Sequence, residues 1–166
     1  MRVYPTETQA PSLPAIMSIG DSAFQNATRG GTDYRLLAPG SGAIFTNENL
    51  TLANCVISNN RLSGTSGRGG GIFSQFGSLT VLASTISGNT GGRGGGIYAI
   101  GTNTTIRGST ISGNVASATS GNGGGGIALA SAAGSFSTII NTTISGNQAS
   151  STAKGGGILN ASAGTV

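Results

Sequence analysis

The chain has 166 residues and a net charge of +4; 31 residues are glycine, whereas only 7% are charged and 5% are aromatic. This length accommodates one ordinary domain. With no histidine and a single cysteine, Cys55, the composition excludes an intrachain disulfide, a Cys/His zinc site and a Ser-His-Asp triad. No apolar run approaches the length of a membrane span, so we expect no membrane insertion.

Residues 1–17 contain three of the four prolines and match no repeat. Proline cannot donate to a β-ladder, so this segment predicts an extended arm. From residue 18 to residue 166 the chain repeats, and three apolar positions, which we name ranks A, B and C, mark each copy. Rank A follows a glycine run, rank C lies five residues after rank B, and the final copy stops at rank B, in the middle of a coil.

The members of each rank are all apolar, and most are isoleucine. Rank A consists of Ile44, Ile72, Ile97, Ile127 and Ile158; rank B of Ile19, Leu52, Val81, Ile106, Ile139 and Val166; rank C of Phe24, Ile57, Ile86, Ile111 and Ile144. Variable loops around a constant five-residue step are typical of a β-solenoid. The pattern predicts an all-β fold of about five coils with three short strands per coil.

Polar residues repeat in register with the ranks. The position two after rank B holds residues that tolerate a left-handed backbone, which predicts a sharp bend there; its members are Asp21, Asn54, Ala83, Gly108 and Asn141. The next position is a column of small residues in which Cys55 takes the place of serine. Three residues after rank C an asparagine column predicts stacked, hydrogen-bonded amides; its members are Asn60, Asn89, Asn114 and Asn147.

Two signatures support a resemblance to a known family. Gly-Gly-Gly-Ile occurs at 69–72, 94–97, 124–127 and 155–158, and Ile-Ser-Gly-Asn at 86–89, 111–114 and 144–147. Together they resemble the repeats of right-handed parallel β-helix surface proteins, closest to polymorphic outer-membrane-protein repeats of the pectin-lyase-like group. The resemblance implies a right-handed parallel β-helix and a place outside the cell or at its surface. It implies little about activity, because such repeats occur in adhesins, passenger domains, sugar-acting enzymes and structural stalks.

Catalysis of polysaccharide cleavage requires clustered carboxylates, with calcium ligands or a proton acceptor in lyases. The acids available after residue 17 are Asp21, Asp33 and Glu48, all before residue 49. We therefore expect no enzyme activity, no metal and no cofactor.

Two surfaces are candidates for binding. The position after rank A predicts an exposed apolar stripe, which we assign to self-association; its members are Phe45, Phe73, Tyr98, Ala128 and Leu159. Four residues before rank A, Arg68, Arg93 and Lys154 predict a basic ladder. The ladder would suit a polyanion, but with no stacking aromatics expected beside it we interpret it as a solubilising row and expect no nucleic-acid partner.

Hydroxyl rows flank rank C and indicate a third possibility. Their members are Thr85, Thr110 and Thr143 on one side and Ser58, Ser87, Ser112 and Ser145 on the other. Strand geometry places such rows on a regular grid that suits an ice-binding face.

The function predicted from these patterns is that of a non-enzymatic, extracellular structural protein that self-associates head to tail into a filament. Residues at the two ends of the repeat, Ile19 and Val166, are the expected contacts between copies. The alternative is a fragment of a surface adhesin or passenger domain that binds glycans, and ice binding is a further alternative.

Overall fold

The computed structural model describes the backbone of three short strands between residues 16 and 29, and residues 42–62, 68–118, 123–130, 134–150 and 154–161 in full. The strands are β1 (Ile16–Gly20), β2 (Ala23–Gln25), β3 (Thr28–Arg29), β4 (Ile44–Thr46), β5 (Asn49–Ala53), β6 (Val56–Ser58), β7 (Arg61–Leu62), β8 (Ile72–Gln75), β9 (Ser78–Leu82), β10 (Thr85–Ser87), β11 (Thr90–Gly91), β12 (Ile97–Ile100), β13 (Asn103–Arg107), β14 (Thr110–Ser112), β15 (Val115–Ala116), β16 (Ile127–Ala130), β17 (Ser137–Ile140), β18 (Thr143–Ser145), β19 (Gln148–Ala149) and β20 (Ile158–Asn160). Strand β1 begins at Ile16, and most of the predicted arm lies outside the described residues.

These strands form a parallel β-solenoid. The described strands make four sheets of five strands each, so four turns separate the first strand of a sheet from its last. We name the sheets after the ranks: the rank-B sheet contains β1, β5, β9, β13 and β17; the rank-C sheet β2, β6, β10, β14 and β18; the short-strand sheet β3, β7, β11, β15 and β19; the rank-A sheet β4, β8, β12, β16 and β20. The prediction of an all-β solenoid is confirmed, with slightly fewer coils than the five expected.

The expected three strands per coil are wrong, because each described coil has four. The fourth ladder is made of two-residue strands such as Thr90–Gly91 and Val115–Ala116, which pair in register one coil apart. No residue type is common to all five of these strands, and each is too short for an alternating pattern, so no periodicity in the sequence marks them.

The registers of all three ranks are confirmed within the described strands. Ile72, Ile97 and Ile127 are consecutive partners in rank A, and the five-residue step from B to C holds in every pairing. These side chains form one core in which the central members of each rank have no solvent exposure. Ile19 pairs with Leu52 through its backbone, whereas Val166 lies outside the described residues.

The asparagine column forms the predicted amide ladder inside the solenoid wall. The Oδ1 of Asn89 accepts from the backbone N–H of Asn60 at 3.0 Å and from its Nδ2 at 2.9 Å, and Asn89 is fully buried. The Nδ2 of Asn89 donates to the carbonyl of Ile57 at 2.9 Å and to Oδ1 of Asn114 at 3.0 Å. Each buried amide is therefore satisfied on both sides, as a dry interior requires.

The glycine runs are required because the backbones of neighbouring coils lie very close together at these positions. A Cβ at Gly95 would lie 2.2 Å from the carbonyl oxygen of Gly125 and 2.5 Å from the backbone nitrogen of Val115. The backbone that approaches the glycine face thus belongs to the neighbouring coil, and any side chain at this position would displace it.

The bend after rank B is also confirmed, since Asn54, Ala83, Gly108 and Asn141 have φ values of 55°, 44°, 59° and 49°. An alanine in this left-handed region is strained by on the order of 1 kcal/mol, whereas asparagine and glycine adopt this conformation with less strain. We expect Ala83→Asn to stabilise the protein by about 1 kcal/mol, measured as a raised urea midpoint.

The reverse change, Gly108→Ala, is the matched control, because nothing lies within 4 Å of the added Cβ and only backbone strain can act. It should destabilise by a similar amount. Equal urea midpoints for Ala83→Asn, Gly108→Ala and the parent would contradict the left-handed backbone at this bend.

Candidate functional site

The column after rank A stacks as predicted but is not exposed. Phe45, Phe73 and Tyr98 stand in register, with ring centroids 5.1 Å and 5.6 Å apart. Phe73 has no exposed surface and Tyr98 only 4%, and Ala128 completes this second buried cluster. The expectation that this stripe is exposed is therefore wrong for Phe73, Tyr98 and Ala128, whereas Phe45 and Leu159, at its two ends, are half-buried. Self-association through the stripe stays a prediction.

Arginine side chains cover the stacked rings. The Cζ of Arg68 lies 4.8 Å from the centroid of Phe73, and that of Arg93 lies 6.0 Å from the centroid of Tyr98. Nη1 of Arg68 donates to Oε1 of Gln75 at 3.3 Å, and Nη1 of Arg93 donates to Oη of Tyr98 at 3.2 Å. The guanidinium groups thus bury the ring faces by cation–π contact.

This pairing corrects the expectation that no aromatic side chain lies beside the basic residues. The signal is present in the sequence as Arg-Gly-Gly-Gly-Ile followed by Phe73 or Tyr98, because an arginine five residues before the ring reaches back over it. Arg68 and Arg93 occupy adjacent coils, joined by a 3.2 Å hydrogen bond from the N–H of Arg93 to the carbonyl of Arg68. Lys154 is exposed and lies two coils from Arg93, because Gly123 holds the position between them. Of the predicted basic ladder, the structure therefore brings only Arg68 and Arg93 together in adjacent coils.

The hydroxyl rows beside rank C are in register, with Thr85, Thr110 and Thr143 as consecutive partners. The threonine row ends at Thr85, because Val56 and Ala23 hold its next two positions. A more regular threonine column lies on the rank-B sheet, one residue before rank B, and consists of Thr51, Thr80, Thr105 and Thr138. This column is readable in the sequence once the ranks are aligned. Ice binding stays a prediction.

Two exposed phenylalanines stand at the corner between the rank-A and rank-B sheets, which we name the A–B corner. Phe76 is 57% exposed and Phe136 is 63% exposed, the highest values among the large apolar side chains of the described residues. Phe76 has a φ of 66°, a left-handed conformation that is unusual for an aromatic residue. Sequence reasoning missed both, because loops of unequal length place them outside every rank.

The coil between the two phenylalanines holds their backbones in place. The N–H of Phe76 donates to the carbonyl of Ile100 at 2.9 Å, and Oγ1 of Thr102 donates to the carbonyl of Phe76 at 3.2 Å. The N–H of Phe136 donates to Oδ1 of Asn103 at 3.0 Å. Hydrogen bonds therefore fix the backbone of the A–B corner on both sides, and Gly101, Thr102 and Asn103 separate the two rings.

The remaining candidates are not brought together by the described structure. Glu48 is exposed at the A–B corner, whereas Asp21 and Asp33 lie outside the described residues. Within the described ranges no group of three potential metal ligands occurs, and no helix is long and apolar enough to cross a membrane.

Comparison with known proteins identifies no relative of this chain: no family model matches it, and neither a curated protein nor a solved structure matches it significantly. The class that the fold defines is the parallel β-solenoid.

Proposed function

We propose that the protein is a non-catalytic, extracellular structural solenoid that assembles coil on coil into a filament. The observation that supports it is the half-open core of the coil formed by β17–β20. Ile158 is 38% exposed there, whereas its rank-A partner Ile127 has no exposure. Ile139 and Ile144 are also only partly buried.

A further coil in the same register would cover these side chains and pair with β17, β18, β19 and β20, each of which is the last described strand of its sheet. Unpaired parallel edges with apolar neighbours are templates for strand addition. When a second copy supplies the added coil, the contact is head to tail, and a head-to-tail contact that does not close generates a filament. The contact predicted from Ile19 and Val166 belongs to this proposal.

We expect Ile158→Asp to abolish assembly, because a charge at rank A cannot be covered by an apolar coil. Since Ile158 is partly exposed in the single chain, the folded state should survive. Thr143→Asp is the matched control, as it adds the same charge to an exposed position of the same coil.

Negative-stain electron microscopy and sedimentation velocity measure the outcome. Filaments of the parent and of Thr143→Asp, with dispersed rods of Ile158→Asp, support the proposal. Filaments of all three at one concentration contradict it, as does a parent protein that stays monomeric at every concentration.

The second candidate function is glycan binding by a surface adhesin, in keeping with the resemblance to polymorphic outer-membrane-protein repeats. The observation that favours it is the pair of exposed rings at the A–B corner, because aromatic rings on a rigid scaffold are typical contacts for sugars. Binding of the purified protein to a glycan array tests this candidate.

A further inference from the structure

We infer that Phe76 and Phe136 form a stacking platform for a neutral, β-linked polysaccharide at the A–B corner. The inference rests on the second candidate function above and names the class of glycan and the residues that would contact it.

Phe76 has properties that neither folding nor solubility explains. Its ring is 57% exposed, so it contributes little to the core, and its φ of 66° strains the backbone. Gly101, the equivalent residue of the next coil, has a φ of 60° without strain, so glycine is the residue that this turn favours. A strained and exposed aromatic residue at a glycine position indicates a role for the ring itself.

The ring of Phe76 is placed by its neighbours. A Cβ at Gly101 would lie 3.5 Å from Cδ1 of Phe76, so the ring lies directly beside the bare backbone of Gly101. Because Gly101 has no side chain, nothing at that position covers the ring.

The spacing of the two rings suits a sugar chain. Phe76 is in register with Gly101, and Phe136 is in register with Asn103 one coil further on. The two phenylalanines are thus two coils apart, roughly 9–10 Å along the solenoid axis, and are offset by two residues, up to about 7 Å, across it. The resulting separation of about 10–12 Å between the two backbones is comparable to the length of a disaccharide in a chain that crosses the coils obliquely, so alternate pyranose rings of an extended β-linked chain would present their apolar faces to the two phenyl rings.

Polar groups around the rings match the hydroxyls of a neutral sugar. Asn47 and Asn103 are exposed at the same corner, and Gln75 is half-exposed. Side-chain amides both donate and accept hydrogen bonds, as sugar hydroxyls require.

Charge distinguishes a neutral glycan from a polyanion. Glu48 is exposed at the corner, and its backbone packs against the turn that holds Phe76, since a Cβ at Gly77 would lie 2.7 Å from the carbonyl carbon of Glu48. The Arg68 guanidinium, which donates to Gln75 at the same corner, offsets the carboxylate of Glu48, so the corner carries no net charge that would select a polyanion. A protein partner would require a continuous apolar patch, whereas these rings are separated by a polar coil.

Affinity gel electrophoresis of the full chain tests the inference, with mixed-linkage β-glucan, xylan and galactomannan as neutral probes and polygalacturonate as the acidic probe. Phe76→Gly is the decisive variant, because it removes the ring and relieves the backbone strain, so lost binding cannot reflect unfolding. Phe136→Ser removes the second ring. Ile140→Ser is the matched control, since it removes an exposed apolar side chain of the rank-B sheet away from the corner.

We expect the parent to be retarded by at least one neutral polysaccharide, each phenylalanine variant to lose affinity at least tenfold, and Ile140→Ser to bind like the parent. If retardation is unchanged in Phe76→Gly and Phe136→Ser, the two rings are not the binding platform, whereas glycan binding by the protein is still supported. Retardation by polygalacturonate alone overturns the neutral ligand class. A parent that binds nothing on the gels or on a glycan array overturns both the platform and the adhesin function.

Discussion

Replacing Ile111 with Asp should abolish folding. Ile111 is a central member of rank C with no solvent exposure, packed between Ile86 and Ile144 of the adjacent coils. A carboxylate at this position has no partner in the apolar core, and the cost of burying it is comparable to the whole stability of a small domain. Circular dichroism should show loss of the β signal at 20 °C.

The neighbouring Thr110 provides the control, because it lies one residue away on the half-exposed outer side of the same strand. Thr110→Asp should leave the thermal midpoint within a few degrees of the parent. The milder Ile111→Ala should destabilise by about 2–5 kcal/mol, the range for truncating a buried aliphatic side chain. Equal losses at positions 110 and 111 would refute the alternation of inward and outward side chains.

Replacing Asn89 with Asp should destabilise the protein by about 3–5 kcal/mol, the cost of an uncompensated buried charge. The amide nitrogen of Asn89 donates to the carbonyl of Ile57 and to Oδ1 of Asn114. A carboxylate cannot donate to either oxygen and repels both. Urea unfolding followed by circular dichroism measures the loss.

The control for this change is Asn59→Asp, which introduces the same group on the exposed bend of the preceding coil. Aspartate tolerates the left-handed conformation of residue 59, which has a φ of 56°. Its stability should therefore stay within about 0.5 kcal/mol of the parent. If both variants lose stability equally, the amide ladder does not act as the structure indicates.

Much of the fold is readable in the sequence, because a solenoid repeats one environment at every coil. Rank C is isoleucine in four consecutive coils for this reason, and Asn89 and Asn114 recur because each amide requires an identical partner above and below. The bend at Ala83 is recognisable only from its partners Asn54 and Gly108, since alanine by itself does not indicate a left-handed backbone. Cys55 is explained in the same way: its Sγ donates to the carbonyl of Ala53, as the hydroxyl of Ser84 does to Leu82 one coil on.

The tertiary structure alone decided which surfaces are open. The strand period of two places Phe73 and Tyr98 on the outer side of the rank-A sheet, but Arg68 and Arg93 lie over their rings and close that side. Conversely, no repeat marks Phe76 or Phe136, because the loops before rank B differ in length and their alignment emerges only when the coils are stacked. Sequence periodicity determines which residues share an environment. Which of them solvent or a ligand can contact depends on where long side chains such as arginine extend and on how loops of different length lie against each other in the stacked coils.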